Sequence, residues 1–216
     1  MYSEIESIRI SMMHDECWGE ITDSYGTKIK TLFFEPYAKH ALMLGIISVK
    51  GSAPEDISNF LNLFKDHKTI HKIIGTKRVA NTCNITFFES FGDMTAGIMS
   101  NYPILWYANS IDNGIEDWRI LLPKNMGDEL RQDLRDVATI KIWSSSSFSK
   151  DILSFKFQLT DVEALTLKRA EKLGYFKSPR KIDLNELSRA LGVSKQATSV
   201  TLRRALGKIV YNNVLE

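Results

Sequence analysis

The chain has 216 residues, of which 44% are hydrophobic and 25% charged, and carries a net charge of +2. These are ordinary values for a soluble globular protein, so neither a disordered nor a membrane-inserted chain is expected; no apolar run approaches the roughly 20 residues that span a bilayer. Two cysteines, Cys17 and Cys83, make no disulfide framework and point to a cytoplasmic setting, and the early Glu4 and Glu6 argue against a secretory signal.

In chain order, strand-like segments at 29–34 and 41–50 lead into a helix at 54–66. There Pro54 suits a first helical position, and Ile57, Phe60, Leu61 and Phe64 form one apolar stripe. A short strand is expected at 70–74. Segments 104–107 and 118–122 then lead into a helix at 126–135 with Leu130 and Leu134 on one face, and 139–143 closes the unit. The order strand, strand, helix, strand thus occurs twice. The fold class expected is α+β, a duplicated ferredoxin-like or ACT-like N-terminal domain followed by an all-α domain. Residues 1–148 would form the dimerisation or sensory part. The serine run 144–147 marks the break, and 149–158 is read as the linker.

Within the first part, His14 and Cys17 flank Asp15 and Glu16, and are the residues that would begin a metal site, with His40, His67, His71 and Cys83 as distant ligands. Zinc needs about four converging ligands at about 2.0–2.3 Å, and no second close cysteine pair is present. The expectation is therefore no metal and no cofactor, with Cys17 and Trp18 in the core and His14 at a surface turn. The aromatic stretch containing Phe87, Phe88, Trp106, Tyr107 and Trp118 is a candidate lining for a small-molecule effector cleft. No G-x-S-x-G elbow, P-loop, G-x-G-x-x-G turn or H-E-x-x-H helix occurs, so an enzyme is not expected.

Residues 159–216 hold 11 Lys/Arg against 6 Asp/Glu, while residues 1–158 hold 17 against 20. A basic end on a mildly acidic body fits a polyanion-binding module. Thr160 and Glu163, then Asp183 and Glu186, have capping-box spacing. Gly174 and Gly192 stand where helices would end, and Ser194 would cap a last helix. In that helix Thr198, Leu202, Ala205 and Ile209 share one side and should pack on Leu187 and Leu191. Lys195, Gln196, Ser199 and Arg203 share the other, with Arg204 at its flank. Arg and Gln supply bidentate bonds to base edges in the major groove. Lys177, Arg180, Lys181 and Ser194 would hold phosphates and set register. This is the layout of a DNA-binding helix-turn-helix in 159–216.

The motifs Leu159-Thr-Asp, Leu173-Gly-Tyr-Phe176, Pro179-Arg-Lys-Ile182, Leu184-Asn-Glu-Leu187 and Leu191-Gly-Val-Ser194, up to Leu202-Arg-Arg-Ala205, resemble the archaeal bacterio-opsin-activator-type helix-turn-helix family. The resemblance covers residues 159–210 and implies an archaeal transcription regulator with a variable N-terminal sensory or partner domain. Two positions depart from it. Thr198 stands where an apolar residue is usual, and Gly207 interrupts a stretch usually charged and helical, which predicts a weaker last helix. The expected partners are double-stranded DNA, a second copy of the chain and a small-molecule effector, with no membrane. The contrasting expectation is a ligand- or metal-binding module whose helical tail contacts a protein partner.

Overall fold

The computed structural model describes residues 5–14, 16–91, 94–148 and 157–210. The chain divides into two compact units, 1–148 and 149–216. The first is built on one eight-stranded sheet: β1 (Ile5–Met13), β2 (Lys28–Tyr37), β3 (Leu42–Lys50), β4 (Ile70–Val79), β5 (Thr82–Ser90), β6 (Trp106–Asp112), β7 (Ile115–Pro123) and β8 (Thr139–Ser147). Its order is β4-β5-β3-β2-β6-β7-β1-β8, and every pairing is antiparallel. Helices α1 (Ile21–Tyr25), α2 (Pro54–Lys65), α3 (Thr95–Ser100) and α4 (Gly127–Val137) connect the strands, and a 3-10 turn at Trp18–Glu20 precedes α1.

The strand order is symmetric about the β2–β6 pair, where Lys28 faces Asp112 and Thr31 faces Asn109. On one side β5 lies between β3 and β4; on the other, β1 takes the matching place between β7 and β8. Two apolar clusters follow the same division. In one, Ile57, Phe60 and Phe64 of α2 pack on Ile47, Val49, Ile85 and Phe87; in the other, Leu130 and Leu134 of α4 pack on Ile8, Ile10, Met12, Trp118, Ile120 and Leu122. Each fully buried side chain of this kind contributes about 1.5–3 kcal/mol of transfer free energy. Period-two burial explains the strands: Ile8, Ile10 and Met12 face inward while Arg9 and Met13 face out. Gly45 in β3 leaves room for the Phe87 ring, which a Cβ there would approach to 2.6 Å.

Several expectations are corrected. The serine run 144–147 belongs to β8, paired with β1 from Glu6 to Arg9, and Ser145 donates to Glu6 at 2.7 Å. As an edge strand bonded to β1 alone, β8 tolerates exposed polar side chains. The segment at 70–74 is the start of β4, and 104–107 overlaps the start of β6 at Trp106 and Tyr107; the two strands run on to Val79 and Asp112. Strand β5 and helices α1 and α3 stand where no element was expected, and Cys17 and Trp18, expected at the end of a strand, instead follow β1 by several residues at the start of a 3-10 turn. Of the linker 149–158, residues 149–156 lie outside the described residues.

The second unit holds α5 (Asp161–Lys172), α6 (Leu184–Leu191) and α7 (Lys195–Val210). Ala170, Leu187 and Leu202 form its centre with Leu167, Leu173, Tyr175, Ile182, Leu184 and Leu191 around them. No helix among the described residues is long and apolar enough to cross a membrane.

Candidate nucleic-acid interface

Local chemistry fixes the three C-terminal helices. Thr160 Oγ1 accepts from the Glu163 amide at 3.2 Å while the Glu163 carboxylate accepts from the Thr160 amide at 2.8 Å. Asp183 and Glu186 repeat the exchange at 2.8 and 2.7 Å. The Glu186 amide holds the Asp183 carboxyl below its ordinary range. Helix α5 stops at Gly174 (φ 80) and α6 at Gly192 (φ 70). At each stop a pair of backbone bonds turns back onto the last helical carbonyls: Gly174 to Glu171 and Tyr175 to Ala170, then Gly192 to Arg189 and Val193 to Ser188. Ser194 Oγ accepts from the Ala197 amide at 3.1 Å and starts α7.

Thr198, Leu202 and Ala205 are buried, and Leu187 meets Leu202 in the core. On the other side Lys195, Gln196, Arg203 and Arg204 are exposed, and none forms an ion pair with another described residue. Ser199 is half-buried beside a shallow groove formed with Tyr175, Leu184, Leu202 and Leu206. Ser194 is engaged in its cap. Val200, absent from the expected set, is 40% exposed on the ridge one turn beyond Gln196 and one before Arg203. An apolar side chain there suits a thymine methyl. The sequence signal was available in the i, i+4, i+7 spacing from Gln196, but a valine reads first as core.

Of the four residues expected on phosphates, Lys177, Arg180 and Lys181 lie in the segment between α5 and α6, all exposed. The Arg180 guanidinium sits 5.0 Å from the Tyr175 ring centre, which orients it. Lys177 lies 4.0 Å from Glu171, a loose exposed pair. The Lys181 stem packs over Gly174, where a Cβ would come within 2.9 Å of three of its carbons.

The two departures from the family pattern have local explanations. Thr198 Oγ1 donates to the Ser194 carbonyl at 3.0 Å, so its hydroxyl is satisfied in an apolar position. Gly207 does not break α7, which continues to Val210, and open space surrounds the place of its missing Cβ. At the far end Lys208 donates to Glu163 at 2.7 Å and to the Gln158 carbonyl at 3.0 Å, fastening α7 to the start of α5.

In the first unit, a small, mostly apolar cavity of about 30 Å³ is lined by Trp18, Phe87 and Trp118 among others, with Cys17, Glu89, Thr95, Asn109 and Glu116 as its polar edge. Of the five aromatics expected to line a cleft, the cavity takes Phe87 and Trp118. Tyr107 packs instead against Phe34 and Trp118, and Phe88 stacks on Tyr37. Glu89 and Glu116 are each 4% exposed. Trp18 Nε1 donates to Glu89 at 2.7 Å; Trp118 Nε1 and Thr95 Oγ1 donate to Glu116 at 2.8 and 2.9 Å. Burial pushes the Glu89 carboxyl up to about 7, against the pull of the Trp18 bond and with the help of the Glu116 charge. Burial first, then Glu116, raises the Cys17 thiol well above its ordinary range. These glutamates were missed because a Glu in a strand reads as solvent-facing. The fate of His14 also differs from a plain surface turn: its Nδ1 is buried and has no hydrogen-bond partner among the described residues.

Residues 159–211 match the model of a helix-turn-helix DNA-binding domain, the bacterio-opsin-activator type. Residues 7–139 match the model of the HVO_2525 N-terminal domain. No curated protein matches the sequence.

Proposed function

Because the chain belongs to the HVO_2525 N-terminal family over more than half its length and carries a bacterio-opsin-activator-type DNA-binding domain, we propose that it is a cytoplasmic transcription regulator that reads duplex DNA as a homodimer. Helix α7 enters the major groove. Gln196, Val200 and Arg203 face base edges from its exposed ridge, with Lys195, Ser199 and Arg204 beside them; Lys177, Arg180, Lys181 and Ser194 engage phosphates. The supporting observation is the ridge itself: basic and amide side chains with no acidic partner among the described residues, on a helix whose opposite side is closed over a core. A single recognition helix touches few base pairs, so two half-sites about one helical turn apart supply specificity.

The first unit serves as dimerisation and effector-sensing domain. Its symmetric strand order is consistent with two ferredoxin-like or ACT-like halves that have exchanged their first strands, β1 and β5. The activity is binding, with no covalent step.

The test is fluorescence anisotropy of the full chain on its own promoter duplex, from about 50 to 200 mM salt. A protein neutralising 6–10 phosphates loses about 10³–10⁵-fold in affinity across that range. A steep decline, and loss of binding on deleting 159–216, is the expected result. Salt-insensitive binding, or binding retained by the deletion, refutes it.

A further inference from the structure

We infer that the first unit holds a divalent transition-metal ion between His14, Cys17 and Glu116. The three residues come from the loop after β1 and from β7, and their ligand atoms all lie within 4.8 Å of one another. Register brings them together, because Met12 faces Glu116 across the β1–β7 ladder. Cys17 Sγ and Glu116 Oε1 are already 3.5 Å apart. That is close to the edge of a tetrahedron drawn at metal–sulfur and metal–oxygen distances of about 2.3 and 2.0 Å.

Three further observations favour an ion. The Nδ1 of His14 is buried and has no partner among the described residues, which costs free energy unless something accepts its lone pair or its proton. Glu116 is oriented from behind, its Oε2 taking bonds from Thr95 and Trp118 while Oε1 is left toward Cys17. Such outer bonds hold metal-ligating carboxylates in place. The cavity that Cys17 and Glu116 line also has room for a water-sized fourth ligand, and Asn109 Nδ2 on its wall has no partner among the described residues.

Ligand chemistry defines the class of ion. One thiolate, one imidazole and one carboxylate suit zinc, cobalt, nickel or iron(II) and disfavour magnesium or calcium. The thiolate and carboxylate together carry two negative charges, which a divalent cation neutralises in a buried place. Three protein ligands with an open fourth position is the pattern of an exchangeable ion rather than a closed structural one. Binding displaces the Cys17 thiol proton to solvent and involves no redox change.

The inference stands apart from the DNA-binding proposal, because its readout is metal affinity. Metal-free full-length protein is titrated with Co²⁺ and followed by absorbance. One ion per chain is expected, with a sulfur-to-cobalt charge-transfer band that Cys17→Ser removes and Cys83→Ser leaves intact. His14→Ala and Glu116→Gln should each weaken binding by 10-fold or more, and Thr95→Val, which leaves all three ligands in place, by about 10-fold. Thermal unfolding of each metal-free variant checks the fold, and should Glu116→Gln unfold, His14→Ala and Thr95→Val carry the decision. No Co²⁺ uptake, a band that survives Cys17→Ser, or an affinity unchanged in His14→Ala overturns the site.

Discussion

The indole of Trp18 reaches across the core to donate its N–H to Glu89 at 2.7 Å, and both residues are buried. The bond satisfies a carboxyl that burial has raised from 4.5 to about 7. Between those values the folded protein keeps a proton that the unfolded chain releases, so stability falls as pH rises through that window. At 1.36 kcal/mol per pH unit the full effect is roughly 3 kcal/mol. Glu89→Gln keeps an acceptor for Trp18 and removes the titration. Urea midpoints at pH 5 and 8.5 should therefore differ less in the variant than in the parent. Parallel pH curves would show that Glu89 stays ionised in the fold.

On the DNA side, Arg203→Ala should cost about 1–3 kcal/mol on the cognate duplex and relax selectivity at one base pair. Lys181→Ala should weaken cognate and scrambled duplexes alike and lower the salt slope by about 1. Competition anisotropy separates the two. Equal losses from both variants on both duplexes would place Arg203 on the backbone.

Gly207→Ala should stabilise the second unit by about 0.5–1 kcal/mol, since the helix already passes through this exposed position and the added methyl meets nothing. Gly192→Ala makes the contrasting case. Space is also open there, but φ is 70, so the left-handed conformation costs the new side chain about 1–2 kcal/mol. Paired thermal melts give opposite signs if backbone conformation decides; equal signs would refute the account.

Lys208→Met should destabilise the second unit by about 1–2 kcal/mol, because Glu163 is 6% exposed and loses its cationic partner. Burial pushes the Glu163 carboxyl up, but the bonds from Lys208 and Thr160 outweigh it, and the net direction is down. Its contribution is therefore present above the ordinary carboxylate pKa and lost as pH falls through the lower folded value. Chemical denaturation at pH 7 and pH 3 should show the gap between parent and variant shrinking in acid. A constant gap would mean that Lys208 acts through packing alone.

The helix-turn-helix was legible because its determinants are local: two capping boxes, two helix-ending glycines and one apolar stripe lie within 50 residues of sequence. Helices α2 and α4 were legible for the same reason. The sheet was only partly so. In β5, Cys83, Ile85 and Phe87 alternate inward, but Glu89 continues the buried side and Phe88 the other, which hides the period. The serines of β8 suggest a loop by composition, and only the pairing partner β1 makes them a strand. The cavity was the least legible part. Glu89 becomes a buried acid through Trp18, 71 positions away, and Glu116 meets Cys17 across 99. Neither proximity leaves a trace in spacing.

The position of β1 between β7 and β8 has a kinetic consequence. The first strand finds both its partners, Ile115–Pro123 and Thr139–Ser147, at the far end of the domain. During synthesis Ile8, Ile10 and Met12 leave the ribosome long before anything can cover them. Contacts of such high sequence separation slow folding, because loop closure must precede the gain from burial. The α5–α7 bundle, with its short-range contacts, can form as soon as it emerges. A cell making this protein thus depends on keeping one early apolar strand out of trouble until the last strand of the sheet arrives.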